Sequence, residues 1–364
     1  MARAAEASRA EAVAASPPAV RARARAAWLF PALIVLLVGA ALLNAGIGAV
    51  HIAPGRVVAI LLRHLGIDLG IPYTQQQDAV LWAIRLPRIA LAALVGGALG
   101  IAGATLQGVF RNPLADPSII GVSSGAAVGA VFVILIGITP FGQLTLPMAA
   151  FIGGVVATAA VYGFARFEGR AEVVTLVLAG VAMNAIANAL TGIMTFMASQ
   201  SQLRSIVFWS LGSVGSATWT GVLSVLPFMI VGFLLLPRYG RTLNLLVLGE
   251  SEARHLGIEP ERARMILVAL AALLTGASVA VAGVVGFVGL VVPHIIRLIA
   301  GPDHRTLLPA SALAGAGLLL LADLCARTLA VPREIPLGVV TSLVGGPFFL
   351  WLLHHTRRQH GGWG

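Results

Sequence analysis

One carboxylate, Asp323, lies within an otherwise uncharged apolar run, residues 307–325. An acid in such a place marks ion or proton coupling when it has companions to relay charge. Asp323 stands alone near one end of its run, which argues against that chemistry. A second run, 173–198, contains Met183, Asn184, Asn188, Met194 and Met197. A thioether can ligate haem iron, although methionine more commonly fills gaps between helices. No histidine joins them. His51 and His64 have no partner at ligand spacing, His294 suits a structural role, and His354 and His355 close the last apolar run. No catalytic residue and no metal-ligand set is assigned. A membrane-embedded enzyme would need clustered His, Asp or Glu inside the bilayer, and the sequence has no such cluster. All 24 basic residues are arginine and none is lysine. This removes the P-loop lysine and any Schiff-base lysine, so the chain neither hydrolyses ATP through a Walker site nor holds pyridoxal phosphate. The lone Cys325 cannot form an internal disulfide and reads as packing.

One charged segment interrupts the apolar sequence, RYGRTLNLLVLGESEARHLGIEPERAR at 238–264. Leu243 to Leu248 reads as a short helix on the membrane surface, broken by Gly249. Glu250 to Leu256 reads as a second short helix, closed by Gly257 at the usual C-terminal position. Its acids come first (Glu250, Glu252) and its bases last (Arg254, His255), as the helix dipole prefers. A plain linker could share this composition, but helix punctuation suits a rigid docking element.

The elements that must position these residues are membrane helices. Of 364 residues, 58% are apolar and 10% charged, against about 25% charged in soluble domains. Mean hydropathy is +0.94, which excludes a soluble enzyme domain. A crossing helix needs about 20 residues, and uncharged runs supply candidates at 28–49, 87–109, 117–165 (two, broken near 138–142), 173–198, 217–236, 265–300, 307–325 and 337–355. The run 265–300 is tight for two crossings, so one of them must be short. Arginine-rich loops favour the cytoplasm. Ten crossings leave only Arg56, Arg63, Arg85, Arg88, Arg204, Arg327 and Arg333 outside, and nine would move Arg357 and Arg358 there too. The expected fold is all-α and polytopic, with ten transmembrane helices and both termini cytoplasmic. Residues 1–26 read as a disordered tail, 27–358 as the ten-helix transmembrane domain with its charged segment at 238–264, and 359–364 as a C-terminal tail. The first apolar run is too long for a signal-peptide core and reads as retained.

A shift of 180 residues aligns Gly96 with Gly276, Ala102 with Ala282, Gly103 with Gly283, Pro113 with Pro293 and Gly121 with Gly301. Five crossings separate the copies, which gives an inverted internal repeat of the kind common in transporters.

Leu86-Pro87-Arg88 followed by GGALGIAGATLQGVFRNPLADPSIIGVSSGAAVGA resembles the iron-siderophore, haem and cobalamin permeases of type II ABC importers. So do LGESEARHLGI at 248–258, GFVGLVVPHIIRL at 286–298 and PREIPLGVVTSLVGGPFFLWLL at 332–353. The resemblance implies a homodimer in the bacterial inner membrane, two separate ATPase subunits holding ATP and magnesium, and one periplasmic binding protein. The chain itself would bind no cofactor and no nucleic acid. By resemblance, Gly249, Glu250, Ser251, Glu252, Ala253, Arg254, His255, Leu256 and Gly257 form the ATPase-coupling helix. Arg85, Arg88 and Arg327 match outer-face arginines that meet acids on the binding protein, with Arg333 a further candidate. Asn112 and Leu114 match a cytoplasmic gate loop, and Glu168 to Thr175 a second gate region. Met183, Asn184, Asn188, Met194 and Met197, with the last span, would line the path. Around 202–213, QLRSIVFWSLGS resembles the haem branch more than the cobalamin branch, and siderophore permeases are nearer competitors. An ion-coupled secondary transporter is the alternative from another class.

Overall fold

The computed structural model describes residues 18–167 and 170–360. Helix α1 (Pro18–Gly46) starts inside the segment read as a tail. Residues 1–17 of that tail, residues 361–364, and Glu168 of the second gate region lie outside the described residues.

An amphipathic helix, α2 (Pro54–His64), follows α1. Arg56 and Arg63 keep it out of the uncharged runs. Its buried Val57 and Ile60 form a small separate core with Ala45, Ile52 and Leu81. Helix α3 (Gln75–Val109) begins at a capping box in which Thr74 accepts from the Gln77 backbone and Gln77 reaches back, satisfying two donors that a helix start leaves open. A π-helical turn at Val80–Arg85 precedes the straight part, Leu86–Val109. Of the most apolar stretch of α3, 78% is buried, so α3 is the axis of the bundle.

Beyond it lie α4 (Val122–Ile136), α5 (Thr145–Ala165), α6 (Val173–Phe196), α7 (Gln200–Ser210) and α8 (Trp219–Leu235). A two-residue antiparallel pairing, Arg166–Phe167 with Arg170–Ala171, joins α5 to α6. Then come α9 (Gly240–Leu248), α10 (Glu250–His255), α11 (Pro260–Ala282), α12 (Val288–Ala300), α13 (His304–Thr328) and α14 (Leu337–His360).

Seven helical stretches among the described residues are long and apolar enough to cross a membrane, and three shorter apolar helices are Val122–Ile136, Val288–Ala300 and Leu337–Leu352. The run 265–300 divides into α11 and α12, and the 13 residues of α12 span about 20 Å at 1.5 Å per residue, short of the hydrocarbon thickness.

Glycine lets α3 meet its neighbours backbone to backbone. A Cβ on Gly103 would lie 1.8 Å from the Gly289 carbonyl oxygen of α12, and one on Gly96 would lie 2.3 Å from the Gly315 carbonyl oxygen of α13. Small residues permit this approach in membranes, where close packing replaces hydrophobic exclusion.

The two halves pack reciprocally: α3 lies against α13, and α11 lies against α5. Of the residues aligned by the 180-residue shift, Gly96 and Gly276 both lie inside helices and Gly121 and Gly301 both have positive φ, 78° and 88°, but other pairs differ. Gly103 is mid-helix whereas Gly283 ends α11 at φ 67°, and Pro113 is in a loop whereas Pro293 is inside α12.

Candidate functional site

At one end of the bundle, Arg85, Arg88, Arg327 and Glu334 line a single cavity of about 580 Å³. The sequence places all three arginines on the outer side of the membrane. The structure brings them together but buries the first two, Arg85 at 4% and Arg88 at 8% exposure. The reason is local. Helix α1 stops at Gly46, and the last carbonyls of a helix have no partner within it. Arg85 donates from its two Nη atoms to the Ala45 and Val50 carbonyls. Arg327 donates from Nη2 to the Asn44 carbonyl at 2.7 Å and to Asn44 Oδ1 at 2.9 Å.

Asn44 itself is buried and donates to the Ala40 and Leu320 carbonyls, tying α1 to α13. Arg88 holds two carboxylates. Its Nε and Nη2 reach Asp323 at 2.9–3.1 Å, and its Nη1 and Nη2 reach Glu334 at 2.9 and 3.0 Å. Arg333 beside them is exposed. His64, read as solitary, stacks on Trp82 with ring centroids 4.0 Å apart and pairs with Asp78 at 2.9 Å.

Helix α6 presents the proposed path residues. Asn184 is engaged: Ser124 Oγ donates to its Oδ1 at 2.6 Å, and its Nδ2 donates to the Ser118 carbonyl at 3.3 Å. Met183 packs over Gly121, Met194 is half-buried, and Asn188 and Met197 are exposed. Among the described residues no three His, Cys, Asp or Glu side chains gather closely enough to hold a metal ion.

At the other end, Asn112 and Leu114 form one exposed turn in which Asn112 Oδ1 accepts from the Leu114 backbone N–H at 2.9 Å. The asparagine therefore shapes its own loop.

The charged segment folds as two short helices meeting at Gly249, whose φ is 140°. Gly257, at φ 81°, ends α10 with its N–H on the Arg254 carbonyl, and Ile258 donates to the Ala253 carbonyl. This is the glycine stop that the sequence shows. Ala253 is fully buried, while Ser251, Glu252, Arg254, His255 and Leu256 are exposed. Glu250 is the exception among the polar residues. It pairs with the buried Arg264 of α11, which also meets Glu261 at 3.2 Å. Glu250 thus anchors α10 to the membrane helix as well as presenting charge.

An all-helical apolar bundle with a rigid polar helix at one end and an arginine-lined cavity at the other is the build of a transport subunit rather than an enzyme. The FecCD transport family model matches residues 34–355. The chain belongs to that family, the permeases of type II ABC importers. It is 47% identical over 299 residues to the hemin transport system permease protein HmuU of Yersinia pestis, covering 79% of this chain and 88% of that one. It is 45% identical over 293 residues to the cobalamin import system permease protein BtuC of Halobacterium salinarum, covering 79% and 76%. Among solved structures, an inward-facing metal-chelate type ABC transporter superposes with a TM-score of 0.78 at 34% identity, over 90% of this chain and 98% of that one.

Proposed function

We propose that this chain is the permease of an ATP-driven haem importer in the bacterial inner membrane. Two copies would form the path, two ATPase subunits would dock at 249–257, and one periplasmic binding protein would deliver haem near Arg85, Arg88 and Arg327. The likeness to the hemin permease over 88% of that protein's length carries the cargo reading. A cobalamin permease is nearly as similar, and cobalamin or a ferric siderophore is the competing cargo. The test is ATP-driven uptake by the reconstituted complex in proteoliposomes, offered haem, a ferric siderophore and cobalamin in parallel. Accumulation of haem alone is expected; uptake of either competitor without haem would overturn the assignment.

Ten crossings follow if the three shorter apolar helices also span, with both termini cytoplasmic. Single cysteines at Ser251 and Arg333, in a Cys325→Ser background, should then label from opposite sides. The homodimer is supported by α6, where only 17% of the apolar stretch is buried and Asn188 is exposed in mid-helix. An amide facing hydrocarbon is costly, so a second copy or a water-filled path should cover that face.

A further inference from the structure

The end of the bundle near Gly249 holds a second cavity, of about 650 Å³, lined by Gln107, Arg111, Arg297 and His304 among apolar walls that include Val247 and Leu248. Arg297 donates from Nη2 to Gln107 Oε1 at 2.8 Å. Gln107 in turn donates to the Gly289 and Leu290 carbonyls, so its oxygen must face the arginine. The other arm, Nη1 of Arg297, is buried with no partner among the described residues, and no carboxylate pairs with this guanidinium as Asp323 does with Arg88.

His304 is only 5% exposed. Asn244 Oδ1 accepts from the His304 backbone N–H at 2.9 Å and lies 2.8 Å from its Nδ1, while Asn244 Nδ2 donates to Asp303 at 2.7 Å. The amide orientation is therefore fixed, Nδ1 must bear the hydrogen, and Nε2 is left buried and unpartnered. Asp303, the acid beside the cavity, is already held by Arg305 and Asn244. Two guanidiniums, Arg297 within and the exposed Arg111 at the mouth, thus lack a counter-charge. The buried Nη1 arm of the partly buried Arg297 is the costly one, since a buried donor without a partner is disfavoured.

We infer that this cavity binds the phosphate of an anionic phospholipid such as phosphatidylglycerol. Arg297 Nη1 and Arg111 would donate to the phosphate oxygens. His304 Nε2 would accept from a headgroup hydroxyl, and the apolar walls would receive the start of an acyl chain. Basic pockets between helices are recognised lipid-headgroup sites. The same donors could take free inorganic phosphate, so the experiment separates the two sources.

The full-length chain, purified with its partners and delipidated in detergent, is titrated with phosphatidylglycerol, phosphatidylcholine or inorganic phosphate. Binding is read by native mass spectrometry and by protection against thermal unfolding. Phosphatidylglycerol should bind at one site per chain, and Arg297→Gln should weaken it at least about fivefold, the equivalent of one arginine–headgroup contact. Arg111→Asn, which tolerates the φ of 49° found there, should weaken it similarly and covers the case where Arg297→Gln does not fold. Arginine-dependent protection by inorganic phosphate alone would assign the site to the free anion and overturn the lipid. Binding of phosphatidylcholine equal to phosphatidylglycerol, or binding unchanged in a folded variant, would overturn the proposal.

Discussion

Arg88 and Asp323, 235 residues apart in sequence, form a two-pronged ion pair in which the carboxylate is almost wholly buried. The pair fastens α3 to α13. It also accounts for the one acid deep in an apolar run: its partner is structural, and no ion need bind there.

Removing one partner should therefore cost more than removing both. Asp323→Leu leaves Arg88 buried with only Glu334 and should destabilise by about 3 kcal/mol, whereas Arg88→Met with Asp323→Leu should cost less than either single change. Thermal unfolding in detergent across the double-mutant cycle measures this. Additive effects would show that the pair is not coupled.

Gly103→Ala should be among the most damaging single-carbon changes, since the added carbon meets the Gly289 carbonyl at 1.8 Å. Overpacking of this severity costs upwards of about 3 kcal/mol. Gly39→Ala adds the same atom where nothing lies within 4 Å and should leave the melting temperature unchanged or higher. Equal melting temperatures for the two variants would count against the packing described for α3.

Leu256 is 61% exposed beside the fully buried Ala253. Leu256→Asp should leave the melting temperature within a few degrees of wild type and abolish coupled uptake, because it alters only the presented face of α10. Glu250→Arg should lose uptake and stability together, since it sets two guanidiniums against each other at Arg264. ATPase-coupled transport beside unfolding curves distinguishes the two outcomes.

The side chain of Asp303 accepts from the Arg305 backbone N–H at the start of α13. The Arg305 side chain lowers its pKa most, to about 2, with a further hydrogen bond from Asn244. A depressed carboxylate stabilises above its unfolded pKa, near 3.8, and that contribution disappears as pH falls towards 2. Wild type should therefore lose stability between about pH 4 and pH 2 relative to Asp303→Asn, and the difference between them should be flat from pH 5 to 8. Parallel melting curves across that range check both limbs.

Replacing Met183, Met194 and Met197 singly with Leu should keep haem uptake within a few-fold of wild type, because volume is conserved and no ligand is lost. Abolished uptake with intact ATPase activity would identify that methionine as an iron ligand.

Local features were legible in the sequence, and distant pairings were not. Gly249 and Gly257 bracket α10 because backbone signals act within a few residues. The break near 138–142 and the shortness of one helix in 265–300 follow from length alone. By contrast, nothing near Arg88 points to Asp323, although a lone acid in a membrane span should prompt a search for its counter-ion. Arg85 and Arg327 read only as outer-side residues because charge counting assigns a side of the membrane, not a depth. The hydrogen bonds that hold them depend on where α1 ends and which carbonyls it leaves open. The orphaned arm of Arg297 is equally out of reach, since it depends on Gln107 of α3 being turned by two carbonyls of α12, the helix that carries Arg297.

Where Gly103 meets Gly289 and Gly96 meets Gly315, two backbones touch with no side chain between them. Neither helix can roll or slip by a residue without collision, so α3, α12 and α13 must travel as one piece. Helix α6 is attached differently, through a single narrow stripe of Leu176, Gly180 and Ala187. Even there, Gly180 meets the Ile119 carbonyl as closely as Gly103 meets the Gly289 carbonyl. The close backbone contacts therefore make α3, α12 and α13 one rigid block, to which α6 adds little buried surface of its own.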